Sequence, residues 1–304
     1  MGLAALLLVP MVVVGLSVDV GPARAIAHGE NVAKDRYRFS VKLTMTGIPT
    51  ADNGQRDSFC SGALIDPHWV ITAGHCFRDA EGERVDRTVA RLTTATIGRA
   101  DLNGKAGHVA TVVAVRQSPT ADVALAKIDT AITDIEPLRV ATAAPAVGDV
   151  VRLTGYGFTT NDESTPARRL QTGKFVVTFV DDSLVGMSGW APQPETSACL
   201  HDSGGPYFKT LADGGAVLVS VVSSGPACPH AGPDLSARVD NIAGWISETT
   251  GDAAGPLDSK LVALPVLLVA VLILAGLGAL GWALGPNRRR MRKQQRYAAC
   301  CRGG

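Results

Sequence analysis

The chain has 304 residues, with 29 Lys and Arg against 28 Asp and Glu, so its formal net charge is +1. This balance, without a basic stripe in the central region, excludes the nucleic-acid-binding class, and the length fits one large domain or two smaller ones. Hydrophobic residues make up 46% of the chain and concentrate in two apolar runs, Gly2–Val18 and Leu261–Leu284. We expect the stretch between these runs to form a soluble, β-rich domain with a full core.

The first segment, residues 1–25, has the pattern of a secretory signal peptide. Its apolar run is followed by Ala23-Arg24-Ala25, which has small residues at both positions that signal peptidase requires, although no Lys or Arg precedes the run. We expect cleavage after Ala25, so that the mature chain begins at Ile26. The alternatives are cleavage after Ala23 and an uncleaved anchor.

The central region, from Ile26 to about Thr250, contains short runs rich in Val, Ile and Thr between clusters of Gly, Pro, Asn and Asp. This pattern is typical of an all-β barrel or sandwich. The clearest runs are Phe39–Thr46, Trp69–Thr72, Ala110–Val115, Phe175–Phe179 and Ala216–Val222. Apolar residues recur at helical spacing over Asn241–Thr249, which predicts a short amphipathic helix at the end of the domain.

Six cysteines favour disulfides over a metal site. Four lie in the central region, while Cys300 and Cys301 lie near the C-terminus. An even number behind a signal-like segment indicates an oxidising compartment. The sequence contains no C-x-x-C pair, H-E-x-x-H or Walker loop, so we expect neither a metal nor an organic cofactor.

Three short segments carry the residues of nucleophilic catalysis. They are Thr72-Ala73-Gly74-His75-Cys76, Asp122-Val123-Ala124-Leu125 and Asp202-Ser203-Gly204-Gly205-Pro206. A serine hydroxyl is a weak nucleophile until a base takes its proton, and histidine suits this task because its pKa lies near neutrality. A carboxylate behind the histidine fixes its tautomer. The nucleophile elbow of α/β-hydrolases is excluded because it requires Gly two residues before the serine, where this chain has His201.

The three segments resemble, in order and spacing, the histidine, aspartate and serine motifs of trypsin/chymotrypsin-like serine proteases. Gly155-Tyr156-Gly157 is similar to the Gly-Trp-Gly turn of that family. The resemblance covers Ile26 to about Thr250 and implies an all-β fold. Two antiparallel β-barrels would pack together, the first running to about Thr133 and the second starting at about Pro145. A short C-terminal helix would follow them.

The resemblance also assigns catalytic roles. Ser203 would be the nucleophile, His75 the general base and then acid, and Asp122 the orienting carboxylate. The backbone N–H groups of His201 and Ser203 would form the oxyanion hole. His201 departs from the family, which has Gly there, and a non-Gly residue is strained if the site requires a positive φ.

Disulfides and an activation pair follow from the same resemblance. Cys60 would pair with Cys76, and Cys199 with Cys228. A free N-terminus at Ile26 would pair with the carboxylate of Asp202, so that signal peptidase itself would create the active form.

The implied substrate pocket has Ser197 at its base, Gly225 at its entrance and Asp234 on its wall. Ser223–Gly225 would pair with the substrate backbone. Two alternatives stay open for Asp234: an accessible carboxylate would bind a basic side chain, and a shielded one would shorten the pocket.

The C-terminal part predicts a membrane anchor. Residues 251–260 form a short linker rich in Gly, Pro and Asp, residues 261–285 are long and apolar enough to span a bilayer, and residues 286–304 form a basic tail. Because basic tails stay on the cytoplasmic side, we expect a single-pass protein of the cell membrane with its C-terminus inside and residues 26–250 outside.

Together these features predict a serine endopeptidase that hydrolyses protein or peptide substrates through an acyl-enzyme at the outer membrane face. The alternative is a catalytically weak or inactive protease-fold binding or adhesion module, tethered to the membrane, which His201 favours. The sequence does not indicate an oligomeric state.

Overall fold

The computed structural model describes residues 26–160 and 166–251. The predicted signal peptide, linker, transmembrane helix and basic tail lie outside the described residues. Within the described ranges, no helix has the length and apolar character that crossing a bilayer requires.

Six antiparallel strands close the first barrel in the order β2-β3-β4-β7-β6-β5. They are β2 (Ser40–Pro49), β3 (Gln55–Asp66), β4 (Trp69–Thr72), β5 (Leu92–Ile97), β6 (His108–Gln117) and β7 (Ala124–Ile128). On β2, Val41, Leu43 and Met45 are buried, whereas Lys42 and Thr44 between them are half-exposed. Because successive side chains of a strand point to opposite faces, this alternation fills the barrel interior.

The second barrel is also built from six antiparallel strands. They are β9 (Val150–Gly155), β10 (Gln171–Val180), β11 (Leu184–Ala191), β12 (Pro206–Thr210), β13 (Ala216–Ser224) and β14 (Pro233–Arg238). Their order is β9-β10-β11-β14-β13-β12, and the pairing of β12 with β9 closes the ring. Two short strands add to its edges: β1 (Glu30–Asn31) pairs with β10, and β8 (Arg139–Val140) runs parallel to β13.

The prediction of two packed barrels followed by a helix is confirmed. A 3-10 turn over Asp240–Ile242 leads into helix α1 (Ala243–Gly251), which buries Ile246. The start of the described chain belongs to the second barrel, although it precedes the first in sequence. Ile26 is fully buried in the core of the second barrel, and Ala27 forms a β-bridge with Ser197.

Candidate active site

The three predicted catalytic residues lie at the ends of secondary-structure elements, where the two barrels meet. His75 lies in the 3-10 turn Gly74–Phe77, which is separated from β4 by one residue, and Asp122 lies two residues before the first residue of β7. Ser203 lies in the turn before β12 of the second barrel. The Ser61 N–H on β3 donates to the Ser203 carbonyl at 2.9 Å, and this bond ties the serine turn to the first barrel.

His75 and Asp122 form a tight pair. The Nδ1 atom of His75 lies 2.7 Å from Asp122 Oδ2, and the His75 backbone N–H donates to Oδ1 at 2.9 Å. The Ser223 hydroxyl donates to Oδ2 at 2.7 Å. Burial opposes ionisation of Asp122, but these bonds and the charge of His75 outweigh it and lower its pKa to about 2. Since an ionised carboxylate only accepts, Nδ1 carries a proton, and in the neutral imidazole Nε2 keeps the lone pair that can accept another.

Arg84 and the side chain of Ser223 support this pair, and the sequence had not assigned either role. The guanidinium of Arg84 donates to the Ala121 carbonyl at 2.7 Å and lies 3.7 Å from Asp122 Oδ1. The sequence predicts that the Ser223 backbone binds the substrate. In the structure, the Ser223 hydroxyl also donates a hydrogen bond to Asp122. No local signal could identify these contacts, because Arg84 and Ser223 lie 38 and 101 residues from Asp122 along the chain.

Two adjoining cavities flank the site. One, of about 480 Å³, is lined by Ser203, His201 and the segment around Gly225, and the other, of about 590 Å³, is lined by His75 and Asp122. Ser223 and Ser224 line both cavities and so join them. Within the described ranges, no hydrogen bond links the His75 ring to the Ser203 hydroxyl. Catalytic hydrogen bonds are often long without substrate and shorten when it binds.

His201 adopts the positive φ that the family motif suggested, and its side chain is tightly held. Its φ is 70°. The imidazole Nδ1 donates to the Phe59 carbonyl at 2.6 Å, and the ring stacks on Phe59 with 3.9 Å between centroids. The Phe158 ring is tilted against the His201 ring with 5.1 Å between centroids, and the Ser61 hydroxyl donates to the His201 carbonyl at 3.2 Å. These contacts offset a backbone strain of about 1–3 kcal/mol for a non-Gly residue.

Asp202 is fully buried behind the serine turn. Its carboxylate accepts the backbone N–H groups of Cys199, Gly157 and Ile26. Burial nevertheless raises its pKa to about 7. A Cβ at Gly157 would lie 2.7 Å from Cγ of Asp202. Only glycine at position 157 therefore leaves room for the Asp202 carboxylate. Ile26 thus lies beside Asp202 even while it is joined to the preceding residue, and its φ of 59° is unusual for a β-branched side chain.

Three of the four predicted pocket residues line the cavity beside Ser203, and the fourth lies behind its wall. Ser223, Gly225 and Asp234 line it. Ser197 is only 1% exposed and lies behind the wall, where its hydroxyl accepts the His230 N–H at 3.3 Å. His230, which the sequence did not distinguish from loop histidines, pairs with Asp234.

Both predicted disulfides are formed. Cys60 is bonded to Cys76 and Cys199 to Cys228, across 16 and 29 residues of sequence. Loops of this size are worth roughly 3 kcal/mol each in the chain-entropy account. Among residues 26–160 and 166–251, no cluster of three or more His, Cys, Asp or Glu side chains is arranged to hold a metal ion.

The sequence of this domain is similar to those of known proteins. The sequence model of a family described as Trypsin matches residues 26–246. A trypsin-like protease of Streptomyces glaucescens is 29% identical over 239 residues, which cover 73% of this chain and 80% of that protein. Trypsin 5G1 of Aedes aegypti is 27% identical over 251 residues, which cover 74% of this chain and 85% of that protein. Glucanase inhibitor protein 3 of Phytophthora infestans is 29% identical over 232 residues, which cover 69% of this chain and 84% of that protein.

A solved structure supports the fold independently. Neuropsin, a serine protease expressed in the limbic system of mouse brain, superposes with a TM-score of 0.58 at 19% identity. The match covers 74% of this chain and 99% of that one.

Proposed function

The chain belongs to the trypsin family, and from this premise we propose that it is a serine endopeptidase that cleaves proteins or peptides through an acyl-enzyme intermediate. The observation that carries the proposal is the His75–Asp122 pair, held by three hydrogen bonds beside the cavity that Ser203 lines. This arrangement fixes the tautomer in which His75 can act as a base.

The proposed reaction proceeds in two steps. The Ser203 hydroxyl oxygen bonds to the carbonyl carbon of the scissile peptide while Nε2 of His75 takes the hydroxyl proton. The backbone N–H groups of His201 and Ser203 stabilise the resulting oxyanion, and losing one such donor typically costs about 10²–10³ in rate. His75 then gives the proton to the leaving amine, and the acyl-ester is hydrolysed by a water that His75 deprotonates. No metal or organic cofactor takes part.

We further propose that signal cleavage after Ala25 activates the enzyme. The new ammonium group of Ile26 would pair with Asp202, and the cut would remove the strained φ of the intact junction. Residues 261–285 would anchor the domain through the linker at the outer face of the cell membrane, with residues 286–304 inside. This part of the proposal rests on the apolar character and length of residues 261–285 and on the Lys and Arg residues that follow them.

Labelling by a fluorophosphonate, which reacts only with an activated serine, tests the enzymatic proposal. The full chain should be labelled at Ser203, and Ser203→Ala and His75→Ala should each abolish labelling and lower turnover by about 10⁴-fold or more. The double variant should be little worse than either single one. A loss below about tenfold on Ser203→Ala would contradict the assignment.

A second candidate function is a protease-fold binding or adhesion module without activity. Two observations favour it: relatives described as glucanase inhibitor proteins, and His201 in place of the family's Gly. A folded chain with both disulfides intact that is neither labelled nor active on a broad peptide library would support this candidate.

A further inference from the structure

The wall of the cavity beside Ser203, of about 480 Å³, contains a carboxylate that is almost hidden from solvent. Asp234 is 2% exposed, yet it is the one carboxylate that lines this cavity among the described residues. Its side chain reaches beneath Gly225, where a Cβ would lie 2.1 Å from Asp234 Oδ1. The carboxylate therefore occupies the space next to Gly225 in the cavity wall.

Both oxygens of Asp234 are already bonded. Oδ2 accepts the Ala198 N–H at 2.9 Å. Oδ1 lies 3.0 Å from Nε2 of His230. The Asp234 side chain is only 3% exposed and the His230 side chain 11%. The His230 backbone N–H donates to Ser197, and this bond holds the histidine segment against the wall.

The protons of this pair can be arranged in two ways, and neither leaves a net charge. Nδ1 of His230 faces the Ala231 carbonyl at 3.2 Å, so Nδ1 carries a proton. Nε2 can then donate to an ionised Asp234, which gives an imidazolium–carboxylate pair. Alternatively, a protonated Asp234 donates to Nε2. Burial raises the pKa of Asp234, and the Ala198 N–H and His230 oppose that effect. In both arrangements, positive and negative charges balance.

A cationic side chain in the cavity would thus meet no uncompensated negative charge. A Lys or Arg would lose its hydration on entry, and desolvating an unpaired charge is costly. The rest of the lining includes the small or apolar residues Ala198, Val222, Gly225, Pro226 and Ala227, together with the hydroxyl groups of Ser203, Ser223 and Ser224 and the side chain of His201. Such a wall favours uncharged side chains of modest size.

We propose that His230 determines the specificity of this cavity, because it neutralises Asp234 and so selects small or medium apolar side chains over Lys and Arg. The inference rests on the proposed peptidase function where turnover is concerned, but the charge balance of the cavity can be tested by binding alone.

Benzamidine, a planar cation of suitable size, tests the charge balance without catalysis. The full chain should bind it weakly by calorimetry. His230→Ala exposes Asp234 as an unpaired carboxylate, so we expect benzamidine affinity to rise by about tenfold or more, as a new charge-assisted hydrogen bond allows. The matched control is His230→Ala combined with Asp234→Asn, which should return to the weak binding of the parent. Equal affinities for the parent and His230→Ala, or tight binding by the control, would overturn the proposal.

Turnover of matched peptides supplies the second measurement. The peptides differ only in the residue before the scissile bond: Ala, Val, Leu, Lys or Arg. The parent should have a kcat/KM about tenfold or more higher for the best uncharged residue than for Lys or Arg, and His230→Ala should narrow this ratio. A parent that prefers Lys or Arg would refute the proposal without any variant.

Failure of the peptidase proposal can be distinguished from failure of the proposal for His230. Absence of all turnover and of fluorophosphonate labelling would count against the peptidase function, while the benzamidine series would still report the cavity's charge. If His230→Ala does not fold, His230→Gln keeps a hydrogen-bond donor without the positive charge and takes its place in both measurements.

Discussion

A chain that keeps residues ahead of Ile26 should lose stability as the pH rises through the titration of Asp202. In such a chain Ile26 offers Asp202 only a neutral amide N–H. Burial then raises the carboxyl pKa from its ordinary value of 3.8 to about 7, although the N–H groups of Cys199, Gly157 and Ile26 oppose the increase. The neighbouring Asp234 adds to the increase.

The sign and size of the effect follow from proton binding. The folded chain holds the Asp202 proton more tightly than the unfolded chain does, so between about pH 4 and about pH 7 the folded state binds more protons. Stability therefore falls over this window and stays lower above it. The difference between 3.8 and about 7 corresponds to about 4 kcal/mol of unfolding free energy. In a chain that begins at Ile26, the proposed ammonium–carboxylate pair would lower the Asp202 pKa and remove this loss until the ammonium itself deprotonates.

Urea denaturation at about pH 4 and about pH 8 measures this difference. With residues ahead of Ile26, Asp202→Asn should be more stable than its parent at the higher pH by up to about 4 kcal/mol, and close to it at the lower pH. In the chain that begins at Ile26 the order should reverse, since the variant leaves a buried ammonium unpaired at a typical cost of about 3–5 kcal/mol. Parallel pH profiles for the extended chain and its Asp202→Asn variant would refute the reasoning.

Three further outcomes are expected. Ser223→Ala removes a hydrogen bond from Asp122, so kcat should fall by about tenfold while Ser223→Thr restores it; unchanged kcat in Ser223→Ala would contradict the proposed support. His201→Ala keeps a side chain at positive φ without the ring contacts to Phe59, so its kcat should fall by about tenfold or more and lie below that of His201→Gly; a kcat for His201→Ala equal to that of the parent would show that the ring contacts do not support the proposed oxyanion hole. On intact cells, external protease should remove residues 26–250 and spare a tag at Gly304, and an externally accessible tag would reverse the proposed topology.

The sequence by itself determined the all-β class and the catalytic residue types, because both are encoded locally. Alternation along β2 follows from the two-residue period of a strand, which does not depend on the partner strand. The short apolar run of β4 fits a strand that is buried on both faces. The Asp202-Ser203-Gly204-Gly205-Pro206 segment is specific within five residues. The family resemblance then supplied the two barrels and both disulfide pairings, which the structure confirms.

Only the tertiary structure decided which side chains surround these residues. The hydroxyl of Ser223 reaches Asp122 across 101 residues, and the ring of His201 reaches Phe59 across 142. Closure of each barrel and packing between them set these distances, and no local pattern carries that information. His230 and Asp234 are four residues apart, a spacing that indicates contact only in a helix. Here Asp234 lies on β14 and His230 precedes that strand, so their contact depends on the loop that the Cys199–Cys228 bond and Ser197 hold against the cavity wall.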